Sequence, residues 1–305
     1  MRPGWTAGVT RGRLLLTRTI GAEHAVAIAA CTSLHDGVGL VAGSAYGERV
    51  QAGLDLVAAQ RGVAETLLWH LRILAGWLPA AGAGLVRTLA GWFEVANIDA
   101  RVAALVSDGR EPAPFVLGGL ATGWSAIERA RTVEEAADAV ARSSWGDPGG
   151  RAPAALTLGM RVAWARRVDD AAPGAADWVA GASALLVARE LLVAGSHEYS
   201  EQLQRLPAIG EGPLRAGSLD ELRAALPARA AWALADVSEA DQLWRAELGW
   251  WDRVERDAKA LLPARDEEAV VLAAVVLLAV DAQRTVRALQ AAAQGGEPRF
   301  AEASR

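Results

Sequence analysis

Two acidic clusters, Asp169-Asp170 and Asp266-Glu267-Glu268, are the residues whose type and spacing come nearest to chemistry. Carboxylates facing each other across a helical cavity can hold magnesium, and magnesium can hold a diphosphate, but that work needs two acid-rich motifs. Here Asp169-Asp170 runs straight into Ala171-Ala172-Pro173, with no further acid at the required spacing. Asp266-Glu267-Glu268 opens a helix, where the helix dipole alone favours acids. The histidines His24, His35, His70 and His197 are dispersed and lack a His-Glu-x-x-His pair. His70, within Leu68-Trp69-His70-Leu71, reads as a satisfied helix histidine. No Gly-rich loop ends in Gly-Lys-Ser or Gly-Lys-Thr, and the glycines from Gly39 to Gly47 lack the strand–turn–helix setting of a dinucleotide site. The single Cys31 excludes an intrachain disulfide and a multi-cysteine zinc site. These residues predict no enzyme, no metal, no cofactor and no nucleotide bound by this chain. Asn97 and Arg101, one helical turn apart, are expected in structural roles, touching each other or with Asn97 bonding a neighbouring helix.

What recurs instead is a helix start: a hydroxyl residue, an aliphatic, any residue, then an acid. It occurs as Ser33-Leu34-His35-Asp36, Thr132-Val133-Glu134-Glu135 and Ser218-Leu219-Asp220-Glu221. The hydroxyl accepts from a free amide of the first turn, while the acid three residues on, Asp36, Glu135 or Glu221, reaches back to the cap. The first two copies run on to Ser44-Ala45-Tyr46-Gly47 and Ser143-Ser144-Trp145-Gly146. A constant 99 residues separates Ser33 from Thr132 (132 − 33) and Tyr46 from Trp145 (145 − 46). Two long helices also align: Ala96 to Leu105 lies over Val280 to Leu289, with Asn97 opposite Asp281 at a register of 184 (281 − 97). Ala188-Arg189 marks a weaker middle copy.

These elements predict an all-α fold. Apolar positions from Leu54 to Leu78 follow a period close to 3.6, and Pro79, Gly82 and Gly84 then break the chain. A second long helix is expected from Leu85 to Val106, stopping before Asp108-Gly109, with Glu111-Pro112-Ala113-Pro114 as a connector. Helices follow from about Leu156 to Val168 and from Ala175 to Val193, separated by Pro173-Gly174. Gly195 to Gly217 reads as a long surface loop with one helical turn. Ser238-Glu239-Ala240-Asp241 opens a longer helix containing Trp250-Trp251, of which one ring enters the core and the other flanks it. The last helix runs from about Asp266 to Ala293 and stops at Gly295-Gly296, with a fraying tail to Arg305. A long helix, a Pro/Gly connector and a short capped helix form one unit, which cannot bury its apolar face alone. Three such units are expected, 1–110, 111–216 and 217–305, in one helical body.

Composition agrees with a packed helical protein. Of 305 residues, 52% are hydrophobic and 22% charged, too apolar for a disordered chain. The 12 tryptophans, against 3 Phe and 2 Tyr, supply large anchors for a core otherwise rich in Ala and Gly. A net charge of −5 argues against a nucleic-acid partner, which would call for a basic stripe. The apolar run Ala269 to Val280 is shorter than the roughly 20 residues that span a bilayer, so a buried helix is expected. No secretory signal is visible at the start, and a soluble protein that can sit beside a membrane is expected.

Against this background, the helix Phe93-Glu94-Val95-Ala96-Asn97-Ile98-Asp99-Ala100-Arg101-Val102 resembles the aromatic-acidic-x-x-Asn helix of the C/d-subunit family of V-type and A-type ATPases, the central-axis connectors of those rotary machines. That family follows it with a connector and a short Ser-hydrophobic-x-Glu … Thr-x-Tyr-Gly helix. The matching positions are Thr132, Val133, Glu135, Ser143, Trp145 and Gly146, and, in the first copy, Ser33, Leu34, Asp36, Ser44, Tyr46 and Gly47. Arg11 to Leu16 is similar to the family's opening Arg-x-Arg-x-Leu, and Val275 to Leu289 to its closing helix, with Asp281 where a carboxylate usually stands. The resemblance implies a divergent bacterial member: a funnel of three helical units, itself non-catalytic. Such a protein caps the membrane rotor ring and receives the central-shaft subunits in a socket, as a peripheral cytoplasmic part of an ion-translocating (expected proton-translocating) complex. The alternative left open is a stand-alone helical scaffold that binds a protein partner.

Overall fold

The computed structural model describes residues 4–107 and 111–296. The expected stop at Asp108-Gly109 and the tail to Arg305 lie outside the described residues. Among the described residues all regular structure is helical, with no strand. In chain order the α-helices are α1 (Thr6–Leu16), α2 (Gly21–Ala29), α3 (Leu34–Ala42), α4 (Leu56–Gly76), α5 (Ala80–Ser107), α6 (Trp124–Ile127) and α7 (Val133–Arg142). They continue as α8 (Pro153–Ala171), α9 (Ala176–Ala188), α10 (Ser200–Leu203), α11 (Leu219–Ala225), α12 (Ala228–Ala231), α13 (Leu243–Leu261) and α14 (Glu267–Ala293).

Local chemistry explains five of the helix starts. Ser33, Asp55, Thr132, Ser218 and Asp266 each adopt an extended backbone and accept an amide of the first turn, at the heads of α3, α4, α7, α11 and α14. Glu135 and Glu221 complete boxes by accepting from the amides just before the cap, Arg131 at 2.7 Å and Gly217 at 2.8 Å, whereas Asp36, with its shorter side chain, accepts from the Ser33 hydroxyl at 2.7 Å instead. Pro79 follows the end of α4, as expected, but Gly82 and Gly84 do not interrupt the chain: both lie inside α5. A Cβ on Gly82 would meet Trp5 and Leu78 at 3.1 Å, so that glycine is used for close packing rather than as a break.

Two further expectations need correction. The stretch from Gly195 to Gly217 is not only surface: Gln202, Leu203, Leu206, Ile209 and Pro213 are buried, and it contains α10. Ser238 does not start a helix; a tight turn over Ala240–Gln242 intervenes, and the Gln242 side chain accepts from the Ser238 amide at 3.4 Å. Trp250 and Trp251 meet edge to face with ring centres 4.8 Å apart, while Trp250 donates to the Trp178 carbonyl at 2.9 Å and packs on the core.

The chain groups into two compact units, residues 1–86 with 255–305, and residues 87–254. These do not coincide with the three segments drawn from sequence register, because packing follows which helices touch and not chain order. In the first unit, α14 packs against α1, α2, α3 and α4. It is long and apolar enough to cross a membrane, with mean hydropathy 1.9, yet 61% of that stretch is buried inside the protein. Its Leu289, Ala282 and Ala291 close a core with Ile28, Val38, Val41, Val50 and Val63. Full burial of each large aliphatic is worth about 1.5–3 kcal/mol. The second unit holds one core around Val95, Ile98, Ile127, Val140, Leu156 and Met160, and another around Leu158, Leu203, Leu222 and Leu234.

Candidate functional site

Asp281 sits on α14 and is only 3% exposed. A carboxylate placed there costs several kcal/mol unless its oxygens are taken up by donors. Three donors reach it. The backbone amides of Ile20 and Gly21, at the head of α2, donate to Oδ2 at 3.0 Å and Oδ1 at 2.8 Å. The Tyr46 hydroxyl donates to Oδ2 at 2.8 Å. The Tyr46 pKa is pushed well above its ordinary value of 10.0 by burial first, then by the Asp281 charge and the hydrogen bond to it, against a smaller opposing effect of Thr285. The phenol therefore stays a donor.

The second unit repeats this arrangement. Glu94 on α5 is 0% exposed and accepts from the consecutive amides of Thr122 at 2.6 Å and Gly123 at 2.6 Å, at the head of α6. The indole N–H of Trp145 donates to the same carboxylate at 2.8 Å. In both units a carboxylate on a long helix thus holds two successive amides at the start of one short helix and the aromatic donor that follows the next. We term this a carboxylate clamp.

The turns that carry the aromatic donors are also alike. Ser44 and Ser143 each donate to the carbonyl three residues back, at 2.6 Å, and accept from the amide of Tyr46 or Trp145, at 3.2 and 3.1 Å. The glycines that follow serve different ends. Gly146 takes the left-handed φ of 79°, whereas a Cβ on Gly47 would lie 2.1 Å from the Ala42 carbonyl oxygen.

Sequence register pairs Asp281 with Asn97; the clamps pair it with Glu94, at 187 residues (281 − 94), about one helical turn away. Sequence reasoning does not single out Glu94 as a site residue. Its signal is an acid inside the otherwise apolar Gly91-Trp92-Phe93-Glu94-Val95-Ala96. Asn97 and Arg101 do not bond each other. Asn97 makes a two-way bond with the Phe115 backbone, donating at 3.0 Å and accepting at 2.7 Å, so it ties down the connector and not a neighbouring helix. Arg101 reaches the Glu111 carboxylate at 2.6 Å and the Ala130 carbonyl. The third capped helix goes its own way: Trp232, fourteen residues after Ser218 (232 − 218), donates to the Arg229 carbonyl at 2.9 Å.

The remaining sequence candidates are placed as follows. His70 is buried, and its pKa falls from 6.5 to about 4, chiefly through burial, then the nearby charges of Arg18 and Arg11. Asp266 caps α14 through the Glu268 amide at 3.2 Å. Among the described residues, no group of three or more His, Cys, Asp or Glu could hold a metal ion. No protein-family model matches this chain, and no curated protein matches it in sequence. The clamps bind backbone and aromatic donors within the chain, so their chemistry is that of fasteners.

Proposed function

We propose that this chain is a non-catalytic subunit of a rotary V/A-type ATPase, coupling the central shaft to the membrane rotor ring for ion transport, with the proton as the expected ion. The observation that carries the reading is the duplicated clamp. A part that passes torque must keep its long helices locked to the short ones beside them. A buried carboxylate with three donors is such a lock, because opening it strands an unpaired charge in the interior. The residues that resemble the C/d-subunit family lend further support, since the clamp donors Tyr46 and Trp145 are its aromatic positions.

The finer arrangement belongs to the same proposal: three pseudo-repeated units forming a funnel, with the third contributing the Ser218–Glu221 cap. On this reading the protein lies at the cytoplasmic face of the membrane as a peripheral member of the complex. Its test is affinity purification of the tagged chain from native membranes in mild detergent. ATPase catalytic and ring subunits are expected to come with it. Recovery as a lone soluble chain would overturn the assignment in favour of a free-standing scaffold.

A further inference from the structure

Three arginines line one cleft in the second unit, of about 270 Å³, beside the Gly146–Gly150 turn. Arg166 and Arg167 come from the C-terminal half of α8, and Arg205 from the turn after α10. In a chain of net charge −5 this is a local concentration of cation. Two carboxylates share the rim, Asp147 and Asp170, against the three guanidinium groups, so the lining keeps a net positive charge. Asp147 accepts from the Gly149 amide at 2.9 Å and forms a loose, solvent-exposed ion pair with Arg205 at 3.7 Å, of the kind worth little and readily exchanged for a ligand. Arg166 is exposed and has no hydrogen bond or ion pair among the described residues.

The cleft is also built in advance. The Arg167 guanidinium lies 4.6 Å over the Trp145 ring and donates to the Ser144 carbonyl at 2.9 Å, which fixes its plane while leaving other N–H groups unspent. Gln202, 4% exposed, spends its amide N–H groups on the Pro148 and Ala155 carbonyls, at 2.6 and 3.0 Å, and so holds the turn against α8. Its Oε1 is left buried with no partner. Gly159 is what lets the turn close: a Cβ there would lie 1.9 Å from the Pro148 oxygen.

We propose that this cleft binds a small phosphate monoester, its dianion held by Arg166, Arg167 and Arg205. Guanidinium forks match carboxylate and phosphate oxygens in bidentate geometry, and a phosphate dianion brings the charge and the three oxygens that three of them can share. The volume falls just below the roughly 300–1,000 Å³ of ordinary small-molecule sites, so it suits a phosphate carrying a short organic group. Such a group comes from a soluble ester or from a lipid headgroup. The inference goes beyond the coupling role and stands without it.

Titration of the full chain with inorganic phosphate and with glycerol phosphate, followed calorimetrically, tests the site. Sedimentation with phosphatidylcholine vesicles carrying phosphatidic acid tests the lipid source. Saturable one-to-one binding is expected, weakened about tenfold by Arg166→Ala and further by Arg166→Ala with Arg205→Ala. Arg129→Ala, an exposed arginine outside the cleft, should bind as the parent does. Arg166 is exposed and unpaired, so its single variant keeps the fold, which circular dichroism would verify. Binding confined to the vesicles assigns the headgroup as ligand; binding of the soluble ester assigns a metabolite. Absence of saturable binding in both arms, or equal weakening by Arg129→Ala, would overturn the proposal.

Discussion

Glu94 and Asp281 are stable as buried groups only because each is met by three donors, and the consequence can be measured at single residues. Glu94→Leu strands two backbone amides and an indole N–H, each worth about 1–3 kcal/mol when buried without a partner. A loss of about 4 kcal/mol is expected for Glu94→Leu and for Asp281→Leu in urea unfolding followed by tryptophan fluorescence. Tyr46→Phe, which removes one donor, should cost about 1.5 kcal/mol. Equal and small losses in all three variants would show that the carboxylates are not clamps. His70 makes a separate prediction. Its pKa is about 4 in the folded chain and ordinary, 6.5, in the unfolded one, so the unfolded state takes up the proton first as pH falls. The stability it contributes is whole above pH 6.5 and is lost as pH drops from 6.5 to about 4. His70→Phe should therefore flatten the stability–pH curve across that window relative to the parent. Parallel curves would remove His70 from the explanation.

Elements are held by chemistry of two ranges, and that decides what can be read from a sequence. Caps are local. Thr132→Ala and Ser218→Ala should each cost about 1 kcal/mol in the same unfolding measurement, and Thr→Ser at position 132 should recover most of it. Asn97→Leu removes both bonds to Phe115 and is expected to cost about 2–3 kcal/mol and to expose the 111–117 connector to limited proteolysis. The helix starts at Ser33, Thr132, Ser218 and Asp266, and the stop at Gly295-Gly296, were legible because cap, acid and glycine lie within a turn of what they act on. The start of α2 was not legible, since its amides are satisfied by Asp281 from 260 residues away. Glu94 escapes for the same reason: its amide donors at Thr122 and Gly123 carry no side-chain signature. The alignment of the long helices slips by one turn because Asn97 resembles Asp281 in type, whereas the fold matches carboxylate with carboxylate. Gly82 misleads in the opposite sense, as a glycine chosen for contact with Trp5 instead of for a break.

For the molecule as a whole, the first unit is completed by its last helix. Short helices α2 and α3 come near the start of the chain, yet the carboxylate that clamps them arrives on α14 at its end. In the second unit the order is helix first, clamped elements after. The proposed coupling role would require units closed in this way to resist shear along their long helices. The claim of coupling is tested most directly in membrane vesicles from cells whose copy of this gene is deleted, by measuring ATP hydrolysis and ATP-driven proton uptake together. The account predicts hydrolysis without proton uptake, and uptake restored when the full chain is supplied. Undiminished proton uptake in the deleted strain would contradict it.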